Sequence, residues 1–119
     1  MSTETRIMLK RAYQPPHDDD GCRVLVDRIW PRGIKKADLT IDHWLKELAP
    51  SSELRKWFGH RTDRWQEFQR RYRRELDDRP AEIDRLRALL HAGPVTLVYA
   101  ARDEDHNNAV ALRDYLDKR

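Results

Sequence analysis

The chain has a single cysteine, only four glycines, and no apolar run approaching the ~20 residues that a transmembrane helix needs. One cysteine, Cys22, excludes an internal disulfide and gives no reason to expect an oxidising compartment. The first ten residues hold no apolar core of a secretory signal, so none is expected. There is no Walker loop and no G-x-G-x-x-G, which removes two phosphate-binding devices built on glycine. Charge of one sign is also scarce: the formal net charge of +3 permits an anionic ligand without demanding nucleic acid. These absences together lead to the expectation of a soluble cytoplasmic protein with no membrane partner. Nothing in the chain sets its oligomeric state.

What is present suits one domain over residues 1–119, with a modest core (39% hydrophobic) under a highly charged surface (38% charged). Arg6 to Arg11 has a short apolar centre and reads as a first strand. Gln14 to Gly21, with two prolines and three aspartates, reads as a mobile loop. Cys22 to Arg28, with the uninterrupted apolar centre Val24-Leu25-Val26, and Val95 to Ala100 read as buried strands, the first fitting a parallel sheet covered on both faces. Between them the spacing predicts helices. Ile41, Trp44, Leu45 and Leu48 fall on one helical face, with Thr40 as cap and Pro50 as stop. Ser51-Ser52 opens a short helix closed by Gly59. Asp63 and Gln66 resemble a capping box ahead of Trp65, Phe68, Tyr72 and Leu76. Pro80 suits the first turn of the next helix, and a last one carries Ala109, Leu112, Tyr115 and Leu116. The order predicts an α/β fold: a small, largely parallel sheet flanked by helices, three-layered and Rossmann-like. Three clear strands are few for such a sheet, so a further one is expected inside a segment that reads as loop or helix.

Both buried strands end in polar clusters. The first runs into Asp27, Arg28, Trp30 and Arg32; the second delivers Tyr99, Arg102, Asp103, His106, Asn107 and Asn108. In open α/β sheets ligands gather beyond the carboxyl ends of strands. Guanidinium groups beside a helix N-terminus make an anion site, because each can offer two parallel hydrogen bonds to a carboxylate or phosphate. Arg28, Arg32 and Arg102 are therefore candidate anion clamps, and Trp30 or Trp57 a candidate wall or stacking platform. His106, His60 and Asp103 are the candidate proton-transfer groups if there is catalysis. A second reading stands beside this one: Asp27 and Arg28 pair with charges on the other loop and lock the two together, and Asp105 or Asn107 merely caps a helix.

Other patterns carry less. Asp103, Asp105 and His106 match no known metal spacing, and no metal or cofactor is expected. Cys22 and Arg28 show the C-x5-R spacing of cysteine phosphatases, but the intervening residues are apolar strand and Cys22 sits at the wrong end of it. Arg61, Arg64, Arg70, Arg71, Arg73 and Arg74 form a basic run that suits a nucleic-acid backbone. Yet Glu67 and Glu75 each lie four residues from Arg71, the pattern of a solvated helix face.

Four motifs occur in order: Val24 to Gly33, Trp44 to Ser51, Leu54 to His60, and Tyr99 to Asp103 followed by His106 to Val110. Together they resemble the family known as domain of unknown function 488 (DUF488), in its YeaO-like branch, across essentially the whole domain. The resemblance implies a small bacterial α/β protein and brings no activity with it. It also marks Asp27, Arg28, Trp30, Arg32, Trp57, His60, Arg102, Asp103, His106, Asn107 and Asn108 as motif positions. Three functional expectations follow: a pocket for an anionic, phosphate- or nucleotide-like small molecule; a nucleic-acid module on the Arg61–Arg74 run; or a non-catalytic interaction protein.

Overall fold

In the computed structural model, which describes residues 7–117, the elements in chain order are β1 (Ile7–Arg11), β2 (Cys22–Leu25), β3 (His43–Trp44), α1 (Ser52–Phe58), α2 (Trp65–Asp77), α3 (Pro80–Ala92), β4 (Val95–Tyr99) and α4 (Asn108–Asp117). The four strands form one parallel sheet in the order β1-β4-β2-β3. The most apolar run lies in the middle: all five residues of β4 are buried, as a central parallel strand requires. Arg6, expected to begin β1, lies outside the described residues. Residues 26–28 were expected to prolong β2; only Val26 extends it, donating its N–H to the Val98 carbonyl at 3.1 Å.

Side chains alternate across the pleat. Val24, Val26, Val95, Leu97 and Tyr99 face one way and pack with the buried stripes of the helices: Leu54 and Phe58, Phe68 to Leu76, Ile83 and Leu86, Ala109 to Leu116. Leu25 and Val98 face the other way, under Leu39, Trp30, Ile34, Ile41 and Trp44 from the long connection after β2. The sheet is thus flanked on both faces, consistent with a three-layer α/β fold. The helical layer is thick, and the opposite one is loop with a short 3-10 turn at Lys36–Asp38.

The helix expected over residues 41–48 is not formed. Its supposed single face splits: Ile41 and Trp44 pack on one side of the sheet, Leu45 and Leu48 on the other. His43 and Trp44 instead pair with Val24 and Leu25 as the fourth strand, and a 3-10 turn follows at Lys46–Leu48. Thr40 caps nothing there; its carbonyl accepts from Arg23 Nε at 2.5 Å.

The other local signals divide cleanly. Ser51 Oγ caps α1 by accepting from Leu54 N–H, and Gly59 ends it in the left-handed region. Pro80 opens α3. The capping box at Asp63 is absent: a 3-10 turn at Thr62–Arg64 precedes α2, no side chain caps it, and Asp63 pairs with Arg61 at 2.9 Å. The expected mobile loop before β2 is pinned at its end, where His17 caps a turn and Asp20 is buried. Gly21 then has a positive φ of 65°, and any Cβ there would collide with the Pro94 carbonyl.

Candidate functional site

The order β1-β4-β2-β3 places β2 and β4 side by side while their continuations part. After β2 the chain crosses one face of the sheet; after β4 it enters α4 on the other. A crevice must open beyond the carboxyl ends of such a pair, and this is where open α/β sheets hold ligands. A cleft of about 440 Å³ lies there, within the range of small-molecule sites. Asp27, Arg28, Ile29, Trp30, Pro31 and Arg32 line it from the β2 end. Ala100, Ala101, His106, Asn107 and Asn108 line it from the β4 end. The third wall is α1 with its flanks, through Ala49, Pro50, Arg55, Lys56, Phe58 and His60; Phe68 of α2 and Tyr13 also reach in.

Asp27 is the clasp of the crevice. Its carboxylate accepts from the Ala100 N–H at 2.9 Å and from Asn108 Nδ2 at 3.1 Å, so it ties the end of β2 to both ends of the loop that follows β4. Asn108 Nδ2 also donates to the Val26 carbonyl at 3.0 Å, and the Asp27 carbonyl accepts from Trp44 Nε1 at 2.7 Å. Burial pushes the Asp27 carboxyl above the ordinary carboxylate range; the bonds from Asn108 and Ala100 and the charge of Arg55 pull the other way and only partly offset it. Arg11 braces the same loop, donating to the carbonyls of Ala101 at 2.9 Å and Ala100 at 3.2 Å.

The cations are arranged differently. Arg28 does not pair with an acid: it donates to the carbonyls of Ala49 at 3.2 Å and Pro50 at 3.4 Å, which fixes it between the β2 end and the start of α1. Arg32, Arg55 and Lys56 are exposed and form no ion pair among the described residues. Four cationic side chains thus line a cleft whose lone carboxylate is Asp27, itself occupied by Ala100 and Asn108.

A buried aromatic cluster backs the cleft. Phe58 and Phe68 stack with centroids 4.4 Å apart, Phe68 continues onto Trp65 at 5.6 Å, and Trp65 meets the His106 ring edge-on at 5.3 Å. His106 holds its Nδ1 3.0 Å from the Asp103 carboxylate, which also accepts the N–H groups of Asp105 and His106. Those contacts, the Asp105 N–H first among them, keep the Asp103 carboxyl below its ordinary range. Asn107 caps α4: its Oδ1 accepts from Val110 N–H at 3.0 Å, and its Nδ2 donates to the Asp103 carbonyl at 2.8 Å. His60 reaches the rim from a turn in which it follows Gly59 with a positive φ of 59°, rare for a residue with a side chain.

Of the candidates named from sequence, Asp27, Arg28, Trp30, Arg32, His60, His106, Asn107 and Asn108 are brought together around the cleft. Asp103 stands behind His106 rather than on the lining. Tyr99 is buried in the helical core, and Arg102 is exposed away from the lining. Trp57 faces out of the cleft, with the guanidinium groups of Arg71 and Arg64 over its ring at 4.1 and 5.0 Å; it is Phe58 that turns in. Trp30 lines the cleft with its indole N–H already given to the Ile34 carbonyl at 2.7 Å. Arg55, Lys56 and Phe68 were missed. The signal was there for Arg55, which lies one turn before Phe58 and shares its helix face.

The phosphatase spacing has no geometric basis. Cys22 opens β2 and Arg28 lies past its opposite end, and Arg28 lines the cleft while Cys22 does not. Among the described residues no group of three or more His, Cys, Asp or Glu side chains is placed to hold a metal ion, and no helix is long and apolar enough to cross a membrane.

The same chain shows strong similarity to known sequences. A family model described as the inactive DUF488-N3 subclade matches residues 6–119. The uncharacterized protein YeaO of Escherichia coli (strain K12) is 44% identical over 110 residues, which cover 92% of this chain and 96% of the relative. The uncharacterized protein Rv3073c of Mycobacterium tuberculosis (strain ATCC 25618 / H37Rv) is 44% identical over 119 residues, the whole of both chains. No solved structure matches.

Proposed function

The chain belongs to the DUF488 family, in its inactive DUF488-N3 subclade, and from that premise we propose that it is a binding protein whose crevice takes an anionic small molecule. The observation that carries this reading is the charge imbalance of the cleft: Arg28, Arg32, Arg55 and Lys56 against the single, already bonded carboxylate of Asp27. A cavity bordered by unpaired guanidinium groups favours an anion, because each can give two parallel hydrogen bonds to a phosphate or carboxylate. The word inactive in the family description favours binding over turnover. In this reading His60 and His106 are donors to the ligand, and Asp103 positions His106.

Nucleic acid on α2 has less support. Arg70 and Arg71 are engaged by Glu67 at 3.0 and 2.9 Å, and Arg61 by Asp63. Arg64 and Arg71 also lie over Trp57.

The test is thermal unfolding, followed by tryptophan emission, across phosphate, nucleotides and carboxylates. A specific ligand at 100 times its dissociation constant adds roughly 2.7 kcal/mol, which is readily seen as a raised midpoint. The expected result is a hit that disappears in the Arg32→Ala/Arg55→Ala double variant, whose own midpoint without ligand stays near that of the parent. A panel in which no anion raises the midpoint overturns the reading.

A further inference from the structure

Beside its cations the cleft carries free apolar surface. Among the described residues the large hydrophobic side chains exposed to solvent are Met8, Tyr13 and Ile29, and the last two line this cleft, 46% and 61% exposed. Single exposed apolar residues are ordinary on any surface. These two share one cavity with Arg32, Arg55 and Lys56, and the Tyr13 hydroxyl donates to the Arg32 carbonyl at 2.8 Å. The Arg11 guanidinium lies 5.0 Å from the Tyr13 ring centroid and still leaves nearly half of the residue open. Ile29 belongs to neither core cluster, so packing does not account for it.

The polar groups of the lining are meanwhile largely paired within the protein. Asn107 caps α4, Asn108 is bonded to Val26 and Asp27, and the Trp30 indole N–H is given to Ile34. The carbonyls of Ala49 and Pro50 accept from Arg28, and those of Ala100 and Ala101 from Arg11. A hydroxyl-rich ligand would give up water there and find few free partners, which costs free energy. A hydrocarbon has no such loss, and covering Tyr13 and Ile29 with it is favourable. At about 440 Å³ the cleft falls in the range of sites that enclose organic ligands.

Resting on the anion-binding reading above, we infer that the ligand is an amphipathic organic anion. Its charged part, phosphate or carboxylate, lies among Arg32, Arg55 and Lys56, and the rest of it is hydrocarbon without hydroxyls that covers Ile29 and Tyr13.

Dissociation constants are measured by tryptophan emission for five probes: hexanoate, gluconate, pentyl phosphate, ribose 5-phosphate and 1-hexanol. Hexanoate and gluconate have the same carbon count and differ in hydroxyls, as do pentyl phosphate and ribose 5-phosphate. At least one hydrocarbon-bearing anion is expected to bind more tightly than its hydroxylated counterpart and than hexanol, by roughly tenfold or more, about what burying two methylene groups supplies. Whichever of hexanoate and pentyl phosphate binds better identifies the anionic group. Ile29→Ser, at an exposed position, is expected to weaken that probe by roughly threefold or more, about one buried methylene, and to leave its hydroxylated counterpart unchanged. Equal affinity within both pairs overturns the inference and leaves the anion reading standing. An Ile29→Ser variant that binds the hydrocarbon-bearing anions as tightly as the parent overturns the inference as well. Hexanol binding as tightly as hexanoate and pentyl phosphate, or failure of all four anions to bind, overturns both readings.

Discussion

Towards the N-terminal end of the sheet, Asp20 and Arg23 are 5% and 3% exposed and bonded to each other at 2.5 Å. Lys10 adds contacts to both Asp20 oxygens at 3.0 and 3.1 Å, and the His17 N–H a further one at 3.0 Å. At the C-terminal end, Arg32, Arg55 and Lys56 stand exposed around a cleft, and the one carboxylate on its lining, Asp27, is occupied by Ala100 and Asn108. Both ends are rich in charge, yet one is closed and the other open. A closed network explains itself by what it holds: Asp20 joins β1 to β2 and, through its carbonyl and Thr96 Oγ1 at 2.7 Å, to β4. An excess of one sign around a cavity has no such internal explanation, and it is this excess on which the proposed anion binding rests. The lock expected from sequence, with Asp27 and Arg28 paired to charges on the other loop, is not formed: Asp27 ties the loops through the neutral Ala100 N–H and Asn108, and Arg28 bonds to the carbonyls of Ala49 and Pro50.

The largest effect is expected where the network is closed. Asp20→Ala would strand the buried Arg23 guanidinium, whose Nη2 has no hydrogen-bond partner even in the intact protein. Removing one member of a buried ion pair costs about 3–5 kcal/mol. Urea unfolding should show a loss of that size, with anion affinity of the molecules that remain folded unchanged. A loss below ~1 kcal/mol, typical of exposed pairs, would mean that the N-terminal end is no more closed than the other.

A smaller effect, with a pH signature, is expected at the clasp. Asp27→Asn retains one acceptor and turns the other oxygen into a donor facing Ala100 N–H or Asn108 Nδ2, a mismatch of about 1–3 kcal/mol. Burial holds the folded carboxyl of Asp27 above its unfolded value, so the folded state keeps a proton that the unfolded state has already lost. Stability contributed by Asp27 is then full below about pH 3.9, the unfolded value, and falls as pH rises through the raised folded value. The cost of Asp27→Asn should shrink across that window. Asp20 has the opposite sign. Burial would raise its carboxyl, but Lys10, the His17 N–H and Arg23 together outweigh this and lower it. Its stabilisation is present above the unfolded value and is lost as pH falls through the folded one. Chemical denaturation of the parent, Asp20→Asn and Asp27→Asn at several pH values checks both slopes; slopes of the same sign at the two ends would break the contrast.

How far this contrast could be read in advance depended on the residue. β2, β4, α1 and α3 announce themselves because long apolar runs, a serine cap, a left-handed glycine and a proline at a helix start each have one physical cause. β3 does not: Ile41, Trp44, Leu45 and Leu48 have helical spacing, and only the sheet decides that two of them pack on one face and two on the other. The lining of the cleft was legible where it sits on strand ends, at Asp27 to Arg32 and His106 to Asn108. It was hidden on α1, since Arg55 and Lys56 look like a solvated face until the crevice opens beside them. On α2 one of the two acids expected beside Arg71 is placed elsewhere. Glu75 was available to Arg71 by spacing but bonds instead to Ser51, through its N–H at 2.8 Å and its hydroxyl at 2.6 Å, joining α2 to the start of α1.

The smallest expected effect tests whether the cleft or the whole molecule attracts the anion. Arg73 and Arg74 are exposed on α2 and form no ion pair among the described residues, much like Arg32 and Arg55, but they border no part of the cleft. Replacing both with alanine lowers the formal net charge from +3 by two, to +1. At physiological salt, charges beyond about 8 Å are largely screened, so a shift in overall charge should hardly reach the site. Stability should stay within about 0.5 kcal/mol, as for surface substitutions away from special features. Affinity for any anion found in the panel should change less than twofold, measured beside the Arg32→Ala/Arg55→Ala variant that removes the same charge. If the two double variants weaken binding equally, the attraction is a property of net charge and the open end of the sheet holds no site. If only the cleft pair matters, identical charge removed from two places has two outcomes, and position around the crevice is what the protein uses.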